Sequence, residues 1–248
     1  MASKRQKQIE EKQKRDRVLL IAGGAVALIL ALALVITQLL PKTDPAADAS
    51  SAAESAAESA APAAESGAAS EETALLTSAD ELTVSHYADI EIEDQGTITV
   101  ALDESLAPET VKNFVSLAES GFYNGLTFHR IINGFMMQGG DPSGDGTGGS
   151  EQTIPGEFSV NGFENPISHV RGAISMARSM DMNRASSQFF IVQADSTFLD
   201  GQYAGFGFVT EGMEIVDQIC ADAVDTDGNG LVAADKQPVI KSITIRKA

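Results

Sequence analysis

The sequence is poor in cysteine and in positive charge, and each shortage excludes a class of protein. Cys220 is the only cysteine in the 248 residues, so an intrachain disulfide and a metal site built from several cysteines are both excluded. Lysine and arginine number 17 against 35 aspartates and glutamates, for a formal net charge of −18. Because a nucleic acid is bound through a basic patch or stripe, this balance argues against a nucleic-acid partner.

Several motifs of common enzymes are missing as well. The glycine-dense run at 139–149 lacks the Gly-Lys-Ser/Thr ending of a phosphate-binding loop, so nucleotide binding is not expected. The three histidines, His86, His129 and His169, have no spacing typical of a zinc site. The chain has no Gly-x-Ser-x-Gly sequence, which argues against a hydrolase with a nucleophile elbow.

The N-terminal part contains one long hydrophobic run behind a basic flank. Residues 18–40 carry no charge and are long enough to cross a hydrocarbon core of about 30 Å as a helix. Residues 1–17 hold seven Lys and Arg against three acids, so the positive-inside rule places this end in the cytoplasm and the rest outside. We therefore expect a single-pass signal anchor in the cell membrane. The alternative is cleavage near residues 47–49 and secretion.

A linker and one folded domain are expected after this run. Residues 41–80 are mostly Ala, Ser and Glu, with one lysine against eight acids, and apolar side chains larger than alanine are nearly absent before Leu75. Such a stretch cannot bury enough apolar surface to fold, so we expect a disordered, charged linker. Residues 81–248 form a stretch long enough for one hydrophobic core.

The domain has the pattern of many short strands and two helices. Alternating apolar residues at 87–92 and 97–102, with a turn between them, predict a hairpin. Pro108 begins a helix with a buried stripe, and a second helix is predicted at 213–220. This pattern favours a mostly β fold, a closed barrel capped by helices. The other predicted strands are 126–132, 135–138, 173–177, 189–193, 205–209 and 239–246.

In or beside three of these strands, a polar side chain shares a strand face with large apolar side chains. Arg130 lies among apolar residues of one face, and after a short turn Gln138 shares a face with Met136. Gln188 and Phe190 share a face in a later strand. Because a buried polar group needs a partner, these residues are poor choices for a purely structural core. They suit a ligand that is both apolar and hydrogen-bonding, such as a peptide.

Six ordered runs carry a resemblance to a known family. They are FHRIINGFMMQGGD at 128–141, GTGG at 146–149, GAISMA at 172–177, SQFFI at 187–191, FLDG at 198–201 and FG at 206–207. Together they resemble the signature of the cyclophilins, the peptidyl-prolyl cis/trans isomerases, over residues 85–248. The resemblance implies a closed, eight-stranded antiparallel barrel capped by two helices, with an X-Pro peptide bound on its outer face.

The resemblance also implies a role for each residue of the predicted site. Arg130 resembles the catalytic arginine, and Gln138 resembles the glutamine that bonds the substrate backbone and steadies that arginine. His129 and Gly146 are expected to support the site, His129 from the opposite face of its strand. The substrate-binding residues implied by the resemblance are Phe135, Met136, Gln138, Ala177, Arg178, Ser179, Gln188, Phe190, Phe198, Leu199 and Tyr203.

The reaction implied by the resemblance needs these residue types. Rotation about an X-Pro bond is opposed by about 20 kcal/mol because the nitrogen shares its lone pair with the carbonyl. A guanidinium aimed at the prolyl nitrogen can donate to that lone pair only in the twisted state, so it lowers the barrier. No proton is removed and no covalent bond is broken, so we expect neither a cofactor nor a metal.

We therefore predict an isomerase of X-Pro bonds in exported polypeptides, which assists their folding outside the membrane as a monomeric catalytic domain. The alternative is a binding or chaperone module for proline peptides with little turnover.

Phe198 stands where many eukaryotic members have tryptophan, Tyr203 where they have histidine, and Asn133 where they have proline. The loop 178–187 is one residue longer than in those members. We expect these changes to alter the binding of inhibitors such as cyclosporin and to leave the isomerase core intact.

One further run, at 225–236, resembles the start of a calcium loop. It has oxygen-bearing side chains at positions 1, 3 and 5 and glycine at position 6. Position 12 is Lys236 where a bidentate glutamate belongs, and no helix pair flanks the run. A tight Asp/Asn/Gly loop before the last strand is the favoured interpretation.

Overall fold

Strands make up most of the regular structure in the computed structural model, which describes residues 74–248. The two helices are α1 (Pro108–Glu119) and α2 (Met213–Asp222). The strands are β1 (His86–Ile92), β2 (Gly96–Leu102), β3 (Thr127–Ile132), β4 (Met136–Asp141), β5 (Ala173–Met176), β6 (Phe189–Val192), β7 (Ala204–Glu211) and β8 (Ile240–Lys247).

The predicted membrane segment and most of the predicted linker lie outside the described residues. Within residues 74–248, no helix has both the length and the apolar character that a membrane span requires. The predicted hairpin, both predicted helices and the six other predicted strands all occur, with ends that differ by a few residues. The mostly β fold with two helices is therefore confirmed for the described part of the chain.

The eight strands form one antiparallel sheet in the order β3-β4-β6-β5-β7-β2-β1-β8. β3 and β8 stand at the two ends of this order and share no ladder, although an isolated bridge joins Thr127 to Val239. The sheet is thus a half-barrel, and the prediction of a closed barrel is wrong. The site forms on the β3-β4-β6 side of this sheet.

The free edge of β3 is covered by irregular backbone instead of by a strand. The Phe128 N–H donates to the Pro238 carbonyl at 3.0 Å, and the Ile131 N–H donates to the Gly230 carbonyl at 2.8 Å. Pro238 has no N–H, and the 3-10 helix Ala234–Lys236 interrupts this part of the chain. A continuous ladder therefore cannot form, yet these backbone donors of β3 are still satisfied.

Aromatic side chains fill the interior of the half-barrel beneath α1. The ring of Phe114 on α1 lies 5.3 Å from the rings of Tyr123, Phe189 and Phe206, measured between centroids. All four side chains are fully buried, and each contributes on the order of 2 kcal/mol through burial alone. Because side chains alternate along a strand, burial of Phe189 inside turns Phe190 towards the other face of β6.

The strand β4 runs further than the sequence indicates. The predicted strand ends at Gln138, whereas β4 continues through Gly139 and Gly140 to Asp141. A Cβ atom at Gly139 would lie 2.8 Å from both a ring carbon of Phe128 and the Thr127 carbonyl oxygen. The glycine is therefore needed for the close approach of β3 and β4, and not for a loop.

Hydrogen-bonded structure also begins before residue 81, where the sequence suggests the domain starts. The Leu76 N–H donates to the Pro166 carbonyl at 2.8 Å, and the Leu76 carbonyl accepts from the Ser168 N–H at 2.9 Å. Ala79 and Leu82 pack against buried residues of the sheet. We call residues 76–82 the N-terminal strap. Its two leucines, Leu76 and Leu82, are separated by an alanine and polar residues, so the sequence has no periodic pattern to detect there.

Candidate active site

Arg130 lies on β3, and protein groups hold its guanidinium from two directions. Its Nε–H donates to the carbonyl oxygen of Asn229 at 2.8 Å. On the other side, Nη1 lies 3.4 Å from Oε1 of Gln138 and 4.0 Å from the sulfur of Met136. Since the guanidinium is a rigid planar fork, these contacts fix its plane as well as its position.

A chain of amides continues from Arg130 into a neighbouring loop. Nε2 of Gln138 donates to Oε1 of Gln188 at 2.8 Å. Nε2 of Gln188 donates in turn to the carbonyls of Gly148 at 2.7 Å and Gly146 at 3.2 Å. Because the Gln138 nitrogen is occupied in this way, its oxygen is the atom that faces Arg130. This series of hydrogen bonds thus fixes the orientation of the two side-chain amides beside the arginine.

A cavity of about 210 Å³ opens beside this arginine. Its apolar wall comes from side chains on β4 and β6 and in the segment that follows β6. The cavity is lined by Arg130, Phe135, Met136, Gln138, Ala177, Arg178, Phe190, Leu199 and Tyr203. The structure therefore brings all nine of these predicted residues together. A small apolar ring in this cavity would lie next to a fixed cation.

A buried histidine supports the wall of this cavity. The His169 ring is stacked on Phe190 at 6.0 Å between centroids, and Tyr203 meets Phe190 edge-on at 5.7 Å. Nδ1 of His169 lies 2.8 Å from Asp200 Oδ1, and Nε2 lies 3.0 Å from Ser175 Oγ. Burial lowers the pKa of His169, although the hydrogen bond to Asp200 opposes this. Ser175 is fully buried, so the trio serves as a support and not as a nucleophilic site.

His129 directly precedes Arg130 on β3, at a bulge between Phe128 and Arg130 that interrupts the regular alternation of side chains, so the alternation that predicted opposite faces for the two residues does not hold here. His129 is buried, and among the described residues neither ring nitrogen has a hydrogen-bond partner. Burial lowers the pKa of His129; the charge of Asp141 opposes this effect, and the charge of Arg130 acts in the same direction as burial. A Cβ atom at Gly146 would lie 3.7 Å from Nε2 of His129, so the two predicted supporting residues are neighbours. Their supporting roles stay predictions.

A second cavity, of about 380 Å³, adjoins the first one. We call it the side groove. It is lined by three predicted residues that do not line the first cavity, Gly146, Ser179 and Gln188. Gln138, Ala177 and Arg178 line both cavities. Arg184 also lines the side groove, but the sequence did not single it out, because an isolated arginine in a polar loop has no distinguishing pattern. The predicted residues of the side groove are Gln138, Gly146, Ala177, Arg178, Ser179 and Gln188.

Two predicted residues differ in place or manner from the expectation. Phe198 lies outside both cavities with 66% of its surface exposed, and its ring is 5.6 Å from that of Phe135 at the rim. Arg178 was expected to offer its backbone. Its guanidinium also lies 4.8 Å from the ring centre of Tyr203, while its Nε donates to the Gln202 carbonyl at 3.0 Å. The Arg178 side chain therefore supports the segment that carries Tyr203 at the edge of the cavity.

The calcium-like loop uses its carboxylates for its own backbone. Oδ1 of Asp225 accepts the Gly228 N–H at 2.8 Å, and Oδ1 of Asp227 accepts the Asn229 N–H at 2.8 Å. Within residues 74–248, no cluster of three or more His, Cys, Asp or Glu side chains could hold a metal ion. These contacts fit the interpretation of a tight Asp/Asn/Gly loop.

A mostly β fold with two helices, and an arginine fixed beside an apolar cavity, are features that the resemblance to the cyclophilins implies. Comparison with known families matches residues 87–248 to the family described as "Cyclophilin type peptidyl-prolyl cis-trans isomerase/CLD". The chain belongs to this family, and it is a peptidyl-prolyl cis-trans isomerase.

The relatives include both sequences and a solved structure. Peptidyl-prolyl cis-trans isomerase A of Dickeya dadantii is 45% identical over 157 residues, which cover 61% of this chain and 80% of that protein. Peptidyl-prolyl cis-trans isomerase B of Bacillus subtilis is 47% identical over 123 residues, which cover 50% of this chain and 82% of that protein. A cyclophilin type isomerase of Cryptosporidium parvum, crystallised in the presence of the dipeptide Ala-Pro, is 30% identical with a TM-score of 0.57, covering 65% of this chain and 99% of that one.

Proposed function

We propose that this enzyme isomerises X-Pro bonds of exported polypeptides outside the cytoplasmic membrane, with Arg130 as its catalytic group. The observation that carries the proposal is the guanidinium of Arg130, which lines the apolar cavity and is fixed by Asn229 and Gln138. The relative from Cryptosporidium parvum, crystallised with Ala-Pro present, supports a proline peptide as the ligand.

In this mechanism the cavity holds the proline ring while the preceding residue turns. Met136, Phe190 and Leu199 supply the apolar wall. As the X-Pro bond twists, the nitrogen lone pair leaves conjugation, and the Arg130 guanidinium donates a hydrogen bond to it. Gln138 bonds the substrate backbone. Because the bond from Arg130 exists only in the twisted state, it lowers the rotation barrier of about 20 kcal/mol.

The location is proposed from the charge pattern of the N-terminal residues. A basic flank at 1–17 before an uncharged run at 18–40 favours a cytoplasmic N-terminus and an isomerase domain on the outside. Protease added to intact cells should then degrade the domain, while a cytoplasmic marker protein stays whole. Protection of the domain until the cells are lysed would contradict the location. Finding the domain in the medium, with a new N-terminus near residues 47–49, would instead support secretion after cleavage.

The folding role is tested by the refolding of an exported protein with a slow, proline-limited phase. We expect the full chain to accelerate this phase and the Arg130→Ala variant to lose the acceleration. The Arg246→Ala variant is the matched control, since Arg246 pairs with Asp89 at 2.7 Å and lines neither cavity. If the parent leaves the slow phase unchanged while it isomerises a short X-Pro peptide, the folding role is wrong and the isomerase activity stands.

A further inference from the structure

The loop at 225–231 contacts Arg130, although the proposed mechanism gives this loop no part. The Nε–H of Arg130 donates to the carbonyl oxygen of Asn229 at 2.8 Å. The protein thereby occupies the Nε side of the guanidinium, and Nη1 lies next to Gln138 and Met136 on the cavity side. On its Nε side, the direction in which the guanidinium points therefore depends on the position of the Asn229 carbonyl.

Two carboxylates hold that carbonyl in place. Oδ1 of Asp227 accepts the N–H groups of Asn229 at 2.8 Å and Leu231 at 3.1 Å, so it spans Asn229 from both sides. Oδ1 of Asp225 accepts the N–H groups of Asp227 at 2.9 Å and Gly228 at 2.8 Å. These residues are solvent-exposed except for Leu231, which is partly buried, so the carboxylates take the place of a packed core in this loop.

The far end of the loop is fixed to the strand that carries Arg130. The Ile131 N–H donates to the Gly230 carbonyl at 2.8 Å, and the Val232 N–H donates to the His129 carbonyl at 2.9 Å. A Cβ atom at Gly230 would lie only 2.4 Å from a side-chain carbon of Ile132, so the loop lies directly against β3. Residues 230–232 are therefore anchored to β3, and the Asp227 carboxylate holds residue 229 relative to them.

We propose that Asp227 is a positioning residue for the isomerisation, because its carboxylate fixes the Asn229 carbonyl that aims the Arg130 guanidinium at the prolyl nitrogen. The proposal rests on the proposed role of Arg130. A donor that is misdirected by a fraction of an ångström stabilises the twisted state less well. The apolar cavity is unaffected, so loss of Asp227 lowers kcat and leaves KM nearly unchanged.

This role explains the calcium-like pattern at 225–229 without a cation. The alternation Asp225, Asp227, Asn229 places acceptor oxygens at every second position, as a calcium loop does. Here the two aspartates point their Oδ1 atoms at backbone N–H groups of their own loop, in the manner of Asx turns. The same spacing that suits a cation serves to shape the backbone beside the catalytic arginine.

Kinetics of three substitutions in the full chain separate the position of the carboxylate from its charge. Asp227→Ala removes the acceptor, Asp227→Glu keeps the charge but moves it by one methylene, and Asp227→Asn keeps an acceptor at Oδ1. We expect kcat for a short X-Pro peptide to fall about tenfold in the Ala and Glu variants and less than twofold in the Asn variant, with KM unchanged. Asp235→Ala is the matched control, since Asp235 lies in the 3-10 helix beyond the loop and its carboxylate is 4.0 Å from the Lys236 ammonium.

A double-mutant cycle decides whether Asp227 acts through Arg130. Arg130→Lys removes the Nε–H fork, so Asp227→Ala should cause no further loss of kcat in that background. The Nε–H resonance of Arg130, assigned by its absence in Arg130→Lys, should be present in the parent and shifted in Asp227→Ala. The proposal would be overturned if Asp227→Ala lowered kcat equally in the parent and in Arg130→Lys. It would also be overturned if the Asp227→Ala variant kept the parental kcat and an unshifted Arg130 resonance. Should Arg130→Lys retain parental kcat, the catalytic role of Arg130 itself fails, which is a separate result.

Discussion

Arg130 shows at the scale of one residue how neighbours decide what a side chain can do. Asn229 occupies its Nε–H and Gln138 lies beside Nη1, so the fork is held without a carboxylate partner in the described structure. A carboxylate would neutralise the charge and compete for the donors that a twisted prolyl nitrogen needs. Neutral carbonyl and amide oxygens orient the arginine and leave it a cation.

The residues of the cavity could be predicted, whereas two of the residues that support them, Asn229 and His169, could not. Arg130, Phe190 and Leu199 lie in sequence runs that resemble a known signature, and the structure places them around one cavity. Asn229 and His169 belong to none of those runs, and their contacts with Arg130 and Phe190 form only when distant segments meet in the fold. A single sequence has no local pattern that reports such contacts.

The two buried histidines make the fold sensitive to acid. Burial lowers the pKa of His129 and of His169 below the ordinary value of 6.5. When the pH falls through 6.5, the unfolded chain binds protons that the folded domain does not, so stability falls and continues to fall until the folded pKa values are passed. We expect the Tm to drop between pH 7 and pH 5, and to drop less steeply in His129→Phe. Thermal melts at both pH values test this, and parallel curves for the two proteins would contradict it.

At the scale of the elements, helix α1 depends on a residue far along the chain. Pro108 marks its start in the sequence, but the capping group is Glu157, which is buried. Its carboxylate accepts the N–H groups of Glu109 at 3.0 Å and Thr110 at 2.8 Å. A negative group at this end also interacts favourably with the helix dipole.

Removal of this cap should destabilise the domain without changing the site. We expect Glu157→Ala to lower the free energy of unfolding by about 1–2 kcal/mol, the scale of a lost helix cap. Urea denaturation measures the difference, with Glu119→Ala at the opposite end of α1 as the control. An unchanged urea midpoint in Glu157→Ala would show that the cap does not contribute.

Most of the N-terminal strap, residues 76–80, lies in the stretch that the sequence predicted to be linker. Leu76 makes two backbone hydrogen bonds to the segment at 166–168, and Leu82 packs against the cluster that includes Phe190. A fragment of residues 83–248 should therefore be less stable than one of residues 74–248 by about 1–3 kcal/mol, from lost hydrogen bonds and apolar burial. Urea midpoints of the two fragments test the difference, and equal midpoints would show that the strap is dispensable.

The prediction of a closed barrel failed, and the reason lies in the irregular backbone that precedes β8. Alternating residues at 239–246 predict the last strand, and β8 forms there. Whether β8 joins β3 depends on the chain before it, where Pro238 and a 3-10 helix prevent a ladder. Strand patterns predict which segments are strands, but the partner of an edge strand is set by such connections.

For the whole molecule, the side groove differs in charge from the domain around it. Residues 81–248 carry nine Lys and Arg against twenty-four Asp and Glu. The residues that line the side groove include Arg178 and Arg184 and no acid. A concave patch of one sign concentrates ligands of the opposite sign, and this effect weakens as salt is added.

Substrates with an acidic residue that reaches the side groove should therefore be favoured. For X-Pro peptides that differ only in one Glu, Gln or Lys near the proline, we expect kcat/KM in the order Glu, Gln, Lys at low salt. The expected step is about twofold to fivefold, the scale of an exposed ion pair. Arg184→Gln should reduce the difference between peptides, and Arg171→Gln, which lies outside the groove, should not. An order that does not change with salt or with Arg184→Gln would contradict this preference.

The role of Arg130 is tested most directly by exchange on the enzyme, measured apart from affinity. Exchange NMR at saturating X-Pro peptide gives the rate of cis/trans interconversion on the full chain, and a titration gives the Kd. In Arg130→Ala we expect the interconversion rate to fall about a hundredfold or more, the effect of losing one key electrostatic donor, while the Kd changes little. A weaker Kd with an unchanged interconversion rate would contradict this role and leave Arg130 as a peptide-binding residue.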